Sequence, residues 1–240
     1  MNLHGGAYCT PIHSKYRLNI EYFIGYYVFS STENVDRISE TNKSCEIIKG
    51  EINMAYQGIK RKVFISHYKG DRKEVDAFIQ KFANEEKVFT PYVLGANEND
   101  EFINSTNAEY VMTQIRNKYL LDTTVTIVLL GSCTHSRRYV DWELKSSLRQ
   151  GVYVPNGVLG ILLPSKGNSA HLPPRLKDNW SKGHVDCYAR YKFYPGTPEE
   201  LGTWIDDAFN ARTIRAYLIK NSENEMMKYN AKCEVCGITH

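Results

Sequence analysis

Residues 123–131 read TTVTIVLLG, a run of β-branched residues and leucine with no polar alternation. A strand wetted on one side alternates polar with apolar, so an unbroken run fits a strand covered on both faces, as in a parallel sheet between helical layers. NGVLGILLP at 156–164 repeats the signature and is closed by proline, which cannot donate to a ladder. Two such strands demand helices to cover them. The remaining sequence has to supply those helices.

KRKVFIS at 60–66 reads as a first strand, closed by the polar loop HYKGD. DRKEVDAFIQKFANEE places Val75, Phe78, Ile79 and Phe82 at helical spacing, with Asp71 positioned to cap the helix. FTPYVLG at 89–95 is a second strand, GANENDEFINST a polar loop, and AEYVMTQIRNKYL at 108–120 a second helix with Tyr110, Met112, Ile115 and Tyr119 near one face. The run at 123–131 becomes the third and central strand. VDWELKSSLRQG follows as a helix, NGVLGILLP is the fourth strand, and DCYARYKFY at 186–194 is a fifth. TPEELGTWIDDAFNARTIRAYLIKN closes as a helix, with a threonine cap and glutamates two and three residues on. Strands alternating with helices imply right-handed crossovers and a doubly wound α/β fold, here a flavodoxin-like, mostly parallel five-stranded sheet.

Composition narrows the partners. A chain of 240 residues suits one medium domain with extensions, or two small ones. A net charge of +3 without a long Lys/Arg block gives no footprint for nucleic acid. The longest aromatic-apolar run, YFIGYYVF at 22–29, falls well short of the roughly 20 residues that span a bilayer, so no membrane segment is expected. Cysteines stand at 9, 45, 133, 187, 233 and 236, without the dense spacing of a secreted disulfide scaffold and with no signal peptide before them. Reduced thiols in the cytoplasm are the expectation.

In a doubly wound sheet, ligands bind beyond the carboxyl ends of the strands where strand order reverses. The segments to watch are therefore HYKGD, GANEND and GSCTHSRR, after strands one to three. None carries GxGxxG or GxxxxGKS, which argues against a dinucleotide fingerprint and a P-loop. A receiver domain is discounted too, because the first and third strands end in IS and LLGS rather than in acidic residues. In the helix after strand three, Tyr139 and Glu143 lie four residues apart and share a face, with Arg137 and Arg138 in its polar lead-in.

A strand VFIS before a His/Tyr loop, a central TVTIVLLGS, then a threonine, two arginines and aromatic-x-x-x-Glu together resemble the TIR-like domain of Thoeris anti-phage defence proteins (the ThsB family). The resemblance covers about residues 60–165, and less securely to about 220. It implies an N-terminal extension over 1–59, a TIR-like domain over 60–220 and a C-terminal tail over 221–240. In the family the helix after the third strand carries W-x-x-x-E, whose glutamate is required for cleaving NAD. The matching residues here are Tyr139 to Glu143, with tyrosine in place of the first tryptophan and Trp142 just before the glutamate. The resemblance thus implies Glu143 as the catalytic carboxylate and NAD+ as substrate, with no further cofactor. It also implies a cyclic ADP-ribose isomer or related conjugate that activates a separate effector.

For substrate binding the loops offer Ser66, His67, Tyr68, Asp71, Gly95 and Ser132, with Trp142 beside the glutamate. Tyr68 is suited to stacking on adenine or nicotinamide, and Ser66 to ribose or phosphate oxygens. The rival reading is a non-catalytic TIR-like adaptor that self-associates, because fold does not fix function. An aromatic patch, Tyr22, Phe23, Tyr26, Tyr27 and Phe29, is a candidate surface for the main domain, a second copy or a phage-derived trigger. CEVCGITH puts Cys233 and Cys236 at metal-ligand spacing with His240 four residues on. This is half of a zinc site with no second pair nearby. The tail is expected to be a frayed polar segment with two free thiols and no metal, with zinc shared between two chains as the alternative.

Overall fold

A computed structural model describes residues 56–93, 105, 107–181, 186–222 and 225–240. They lie in the compact unit Glu51–His240. The aromatic patch at 22–29 and all of GANEND at 95–100, including Gly95, fall outside the described residues.

Five strands form one parallel sheet: β1 (Arg61–Ser66), β2 (Phe89–Val93), β3 (Val125–Leu130), β4 (Gly157–Leu162) and β5 (Arg190–Lys192). Their order is β2-β1-β3-β4-β5, which puts β3 at the centre as its uninterrupted apolar run requires. Every residue of β3 and β4 is buried. The intervening helices are α1 (Arg72–Ile79), α2 (Ala108–Ile115), α3 (Arg138–Ser147), α4 (Pro174–Asn179) and α5 (Pro198–Ile214). α1 runs on through a π-helical turn at Gln80–Glu85, and α2 through another at Arg116–Leu120. This is the doubly wound α/β architecture expected from the sequence.

The two-residue period of a strand sorts side chains to the two helical layers. Val63 and Ile65 of β1 join Ile127, Leu129, Leu159 and Ile161 against α1 and α5. Phe64 points the other way, into a cluster with Val111 and Ile115 of α2 and Trp142 of α3. Val128, Leu130, Val158 and Leu162 pack on α3 and α4 on that same side. Parity therefore sends Ser66, the last residue of β1, toward α3.

Two helix starts carry a side-chain cap and that of α1 does not. The Thr197 side chain accepts from Glu200 N at 3.2 Å, and Asn107 Oδ1 accepts from Tyr110 N at 3.0 Å. Asp71 occupies the N-cap position of α1 yet makes no capping bond. Its carboxylate lies against Gly131, where an added Cβ would stand 2.0 Å from Oδ2, and accepts a long hydrogen bond of 3.4 Å from Thr134 Oγ1. α4, six residues opening on proline, has too short an apolar pattern to announce itself.

The stretch from Glu225 onward corrects a second expectation, for it is docked rather than frayed. Trp142 Nε1 donates to Met227 O at 2.7 Å, Met227 N to Asp141 Oδ2 at 2.9 Å, and Ala231 N to Ser136 O at 2.9 Å. Among the described residues no helix is long and apolar enough to cross a membrane.

α5 comes so close to β4 that a Cβ on Gly157 would fall 1.8 Å from Ala208 O. Backbone cannot yield as a flexible side chain does. Gly157→Ala should therefore cost about 3 kcal/mol, read as a Tm lower by roughly 6–12 °C. A Tm unchanged within error would show that α5 is free to move away from the sheet.

Candidate active site

β1 and β3 are neighbours in the sheet, yet the chain leaves β1 outward to β2 and returns to β3 on the other side. The crevice beyond their carboxyl ends is the topological switch point. A cavity of about 330 Å³ opens beside it, toward the low end for small-molecule sites. The loop after β1 lends it His67, Tyr68 and Lys69, and α1 contributes Arg72. Arg137 and, on α3, Tyr139 and Glu143 form the facing wall, and Asn230 and His240 close one side.

Glu143 sits at the bottom, 4% exposed. Burial pushes its carboxyl up to about 8, and Ser66, facing it from the end of β1, offsets part of that rise. The pair nevertheless misses hydrogen-bond geometry: Ser66 Oγ and Glu143 Oε2 are both buried without a partner. Two unsatisfied polar atoms facing each other at the base of an open pocket are costly unless a further group completes them.

Three cationic side chains share the cavity with this carboxyl. Arg137, in the polar lead-in to α3, is only 5% exposed. Its Nε donates to Cys133 O at 3.0 Å, its guanidinium lies 4.2 Å from the centre of the Tyr68 ring, and its Nη2 is buried without a partner. Lys69 and Arg72 add two more cationic side chains to the wall. Burial lowers the pKa of His67 and the nearby Arg72 charge lowers it further, which favours the neutral ring. Tyr68 Oη meets His240 Nδ1 at 3.3 Å.

The candidate residues divide accordingly. His67, Tyr68 and Glu143 come together in the cavity, with Ser66 immediately behind the carboxyl. Asp71 sits beside Gly131 and Thr134, where burial raises its pKa and the Thr134 hydrogen bond partly offsets the rise. Ser132 lines a neighbouring depression and accepts from Lys166 Nζ. Trp142 turns away into the cluster of Phe64, Val111 and Ile115, so it supports α3 from behind rather than lining the cavity. Tyr139 does line it, packed edge-on against Trp142 with ring centres 5.1 Å apart.

Sequence reasoning missed Asn230 and His240, which reach the site from a polar stretch with no periodicity. It missed as well the ion pair that fixes α3 from below. Arg175 and Asp141, 1% and 4% exposed, meet at 2.9 Å (Nε to Oδ1) and 3.4 Å (Nη2 to Oδ2). Arg175 also donates to Asn221 O and Glu225 O, tying α3, α4 and the C-terminal stretch together.

Residues 64–168 match the family described as Thoeris protein ThsB, TIR-like domain. The matched span runs from inside β1 to the turn after β4 and includes the loop after β1, Arg137, Tyr139 and Glu143. No curated protein matches the chain. Over that span the chain is similar to the TIR-like domain of a Thoeris defence family.

Proposed function

We propose that this TIR-like domain cleaves NAD+ at the bond between nicotinamide and ribose and forms a cyclic ADP-ribose-type signal for a separate effector protein. The observation that carries the reading is Glu143: a buried carboxyl lining a cavity, with one oxygen unpartnered, next to the Ser66 hydroxyl and in a lining shared with three cationic side chains.

Nicotinamide leaves a cationic substrate as a neutral group, so no acid is needed to protonate it. What remains is an oxocarbenium-like sugar, and one carboxylate suffices to stabilise its charge and to accept from ribose hydroxyls. Ser66, buried behind the carboxyl, would orient it toward those hydroxyls. Arg137 Nη2, with Lys69 and Arg72, suits the dinucleotide's diphosphate, and Tyr68 offers an aromatic wall for a base. Water capturing the sugar carbon gives ADP-ribose; a group of the substrate itself gives a ring, favoured when water is kept out.

The test is incubation of the full chain with NAD+, with and without lysate of phage-infected cells, with products identified by mass spectrometry. Nicotinamide release with a cyclic product is expected. No nicotinamide under either condition would leave the domain a non-catalytic interaction module.

The raised pKa adds a second expectation. Only ionised Glu143 stabilises a developing cation, and burial holds the proton up to about 8. Below that value kcat/KM should therefore rise about tenfold per pH unit and level off above it. A flat profile between about pH 6 and 9 would remove Glu143 as the titrating group.

A further inference from the structure

We infer that Cys133, Cys233, Cys236 and His240 form a zinc site that fastens the C-terminal stretch to the loop after β3. Two of the three sulfurs come from the CEVCG turn and the third from a loop 100 residues earlier. All three lie within 4.8 Å of one another. Cys133 Sγ is 3.2 Å from Cys233 Sγ and 3.6 Å from Cys236 Sγ, and Cys236 Sγ is 3.1 Å from His240 Nε2. Tetrahedral zinc, with bonds of about 2.3 Å to sulfur and about 2.0 Å to nitrogen, separates its ligands by roughly 3.5–3.8 Å. These three separations are within about half an ångström of that spacing. The sulfurs form the mutually close set, His240 Nε2 adjoins it through Cys236 and would close onto the metal as the fourth ligand, and the sulfurs are far from the roughly 2.05 Å of a disulfide.

The turn itself has the shape a metal requires. Gly237 N donates to Cys233 O at 2.8 Å, Cys233 N donates to Ile238 O at 2.9 Å, and Lys232 bridges Thr239. Gly237 has φ +73, a conformation glycine adopts without strain. This brings the sulfurs of Cys233 and Cys236 together with that of Cys133. Arg137, hydrogen-bonded to Cys133 O, brings a positive charge beside what would be an anionic centre. The histidine completes the set: with Nε2 on the metal, Nδ1 is left to donate to Tyr68 Oη, the outer-shell bond that orients a ligating imidazole. The site therefore reaches the candidate active site through Tyr68 and His240, while Cys233, Cys236 and His240 lie outside the family-matched span.

The test is zinc content by mass spectrometry on the full chain produced with added zinc, alongside the visible spectrum after cobalt replacement. About one zinc per chain is expected, with intense thiolate–cobalt bands. Cys133→Ser and Cys233→Ser should each lower zinc at least fivefold. Cys236→Ser and His240→Ala, at the exposed side where folding is safer, should weaken retention against a chelator at least tenfold. Cys187→Ser, at a buried thiol elsewhere, should keep the metal. A chain without zinc, zinc retained by the doubly substituted Cys133/Cys233 protein, or about half a zinc per chain in a dimer would each overturn the site. So would a wild-type mass two hydrogens lighter, with Cys133 linked to Cys233 or Cys236.

Discussion

Glu143→Gln should fold normally and lose NAD+ turnover by about a hundredfold or more, the usual consequence of removing a preorganised group that stabilises transition-state charge. The substitution keeps the shape of the side chain and removes only its ability to ionise. The same variant should be more stable than the parent in neutral and alkaline solution. The parent carboxyl ionises near 4.5 when unfolded but keeps its proton to about 8 when folded. Between those values the folded state binds the extra proton, so each pH unit upward removes parental stability, by up to about 1.4 kcal/mol. Glutamine has nothing to ionise. Chemical denaturation should show little difference near pH 4 and a variant more stable by up to about 4 kcal/mol near pH 8. Turnover near the parental rate would end the assignment of Glu143, and a stability gap independent of pH would contradict its buried, protonated state.

Arg175→Leu should destabilise the protein by about 3–5 kcal/mol, because it leaves the Asp141 carboxylate buried without its cation. It also removes donors to Asn221 O and Glu225 O, so protease sensitivity should rise first in the C-terminal stretch. Replacing both partners by leucine should recover a substantial part of the loss, since a buried pair gains little over well-packed apolar residues of similar volume. A single substitution costing less than about 1 kcal/mol would show that water reaches the pair.

These two predictions rest on different kinds of legibility. β3 and β4 declared themselves because burial on both faces leaves an unbroken apolar run that few other structures tolerate. Tyr139 and Glu143 could be placed on one face because helical spacing is local, and the resemblance in the sequence marked the glutamate. The Asp141–Arg175 pair, 34 residues apart, has no such local signature, and neither does the bond from Trp142 to Met227 across 85 residues. Asp71 misled for a related reason. An aspartate before a helix is a local capping signal, and the packing of its carboxylate against Gly131 overrides it. CEVCG was visible as half of a site. Its other half depends on where the loop after β3 ends up in space.

The first backbone N–H of α3, that of Arg138, donates to Asn230 Oδ1 at 2.9 Å. The helix bearing the candidate carboxylate thus takes a polar partner at its start from a residue 92 positions away, where most helices find one next door. A fragment trimmed to the family-matched span would lose that acceptor, the edge strand β5, the arginine under Asp141 and the whole of α5. Such a fragment would contain every residue of the aromatic-x-x-x-Glu signature without the parts that hold it still, so its inactivity would say nothing against the full chain.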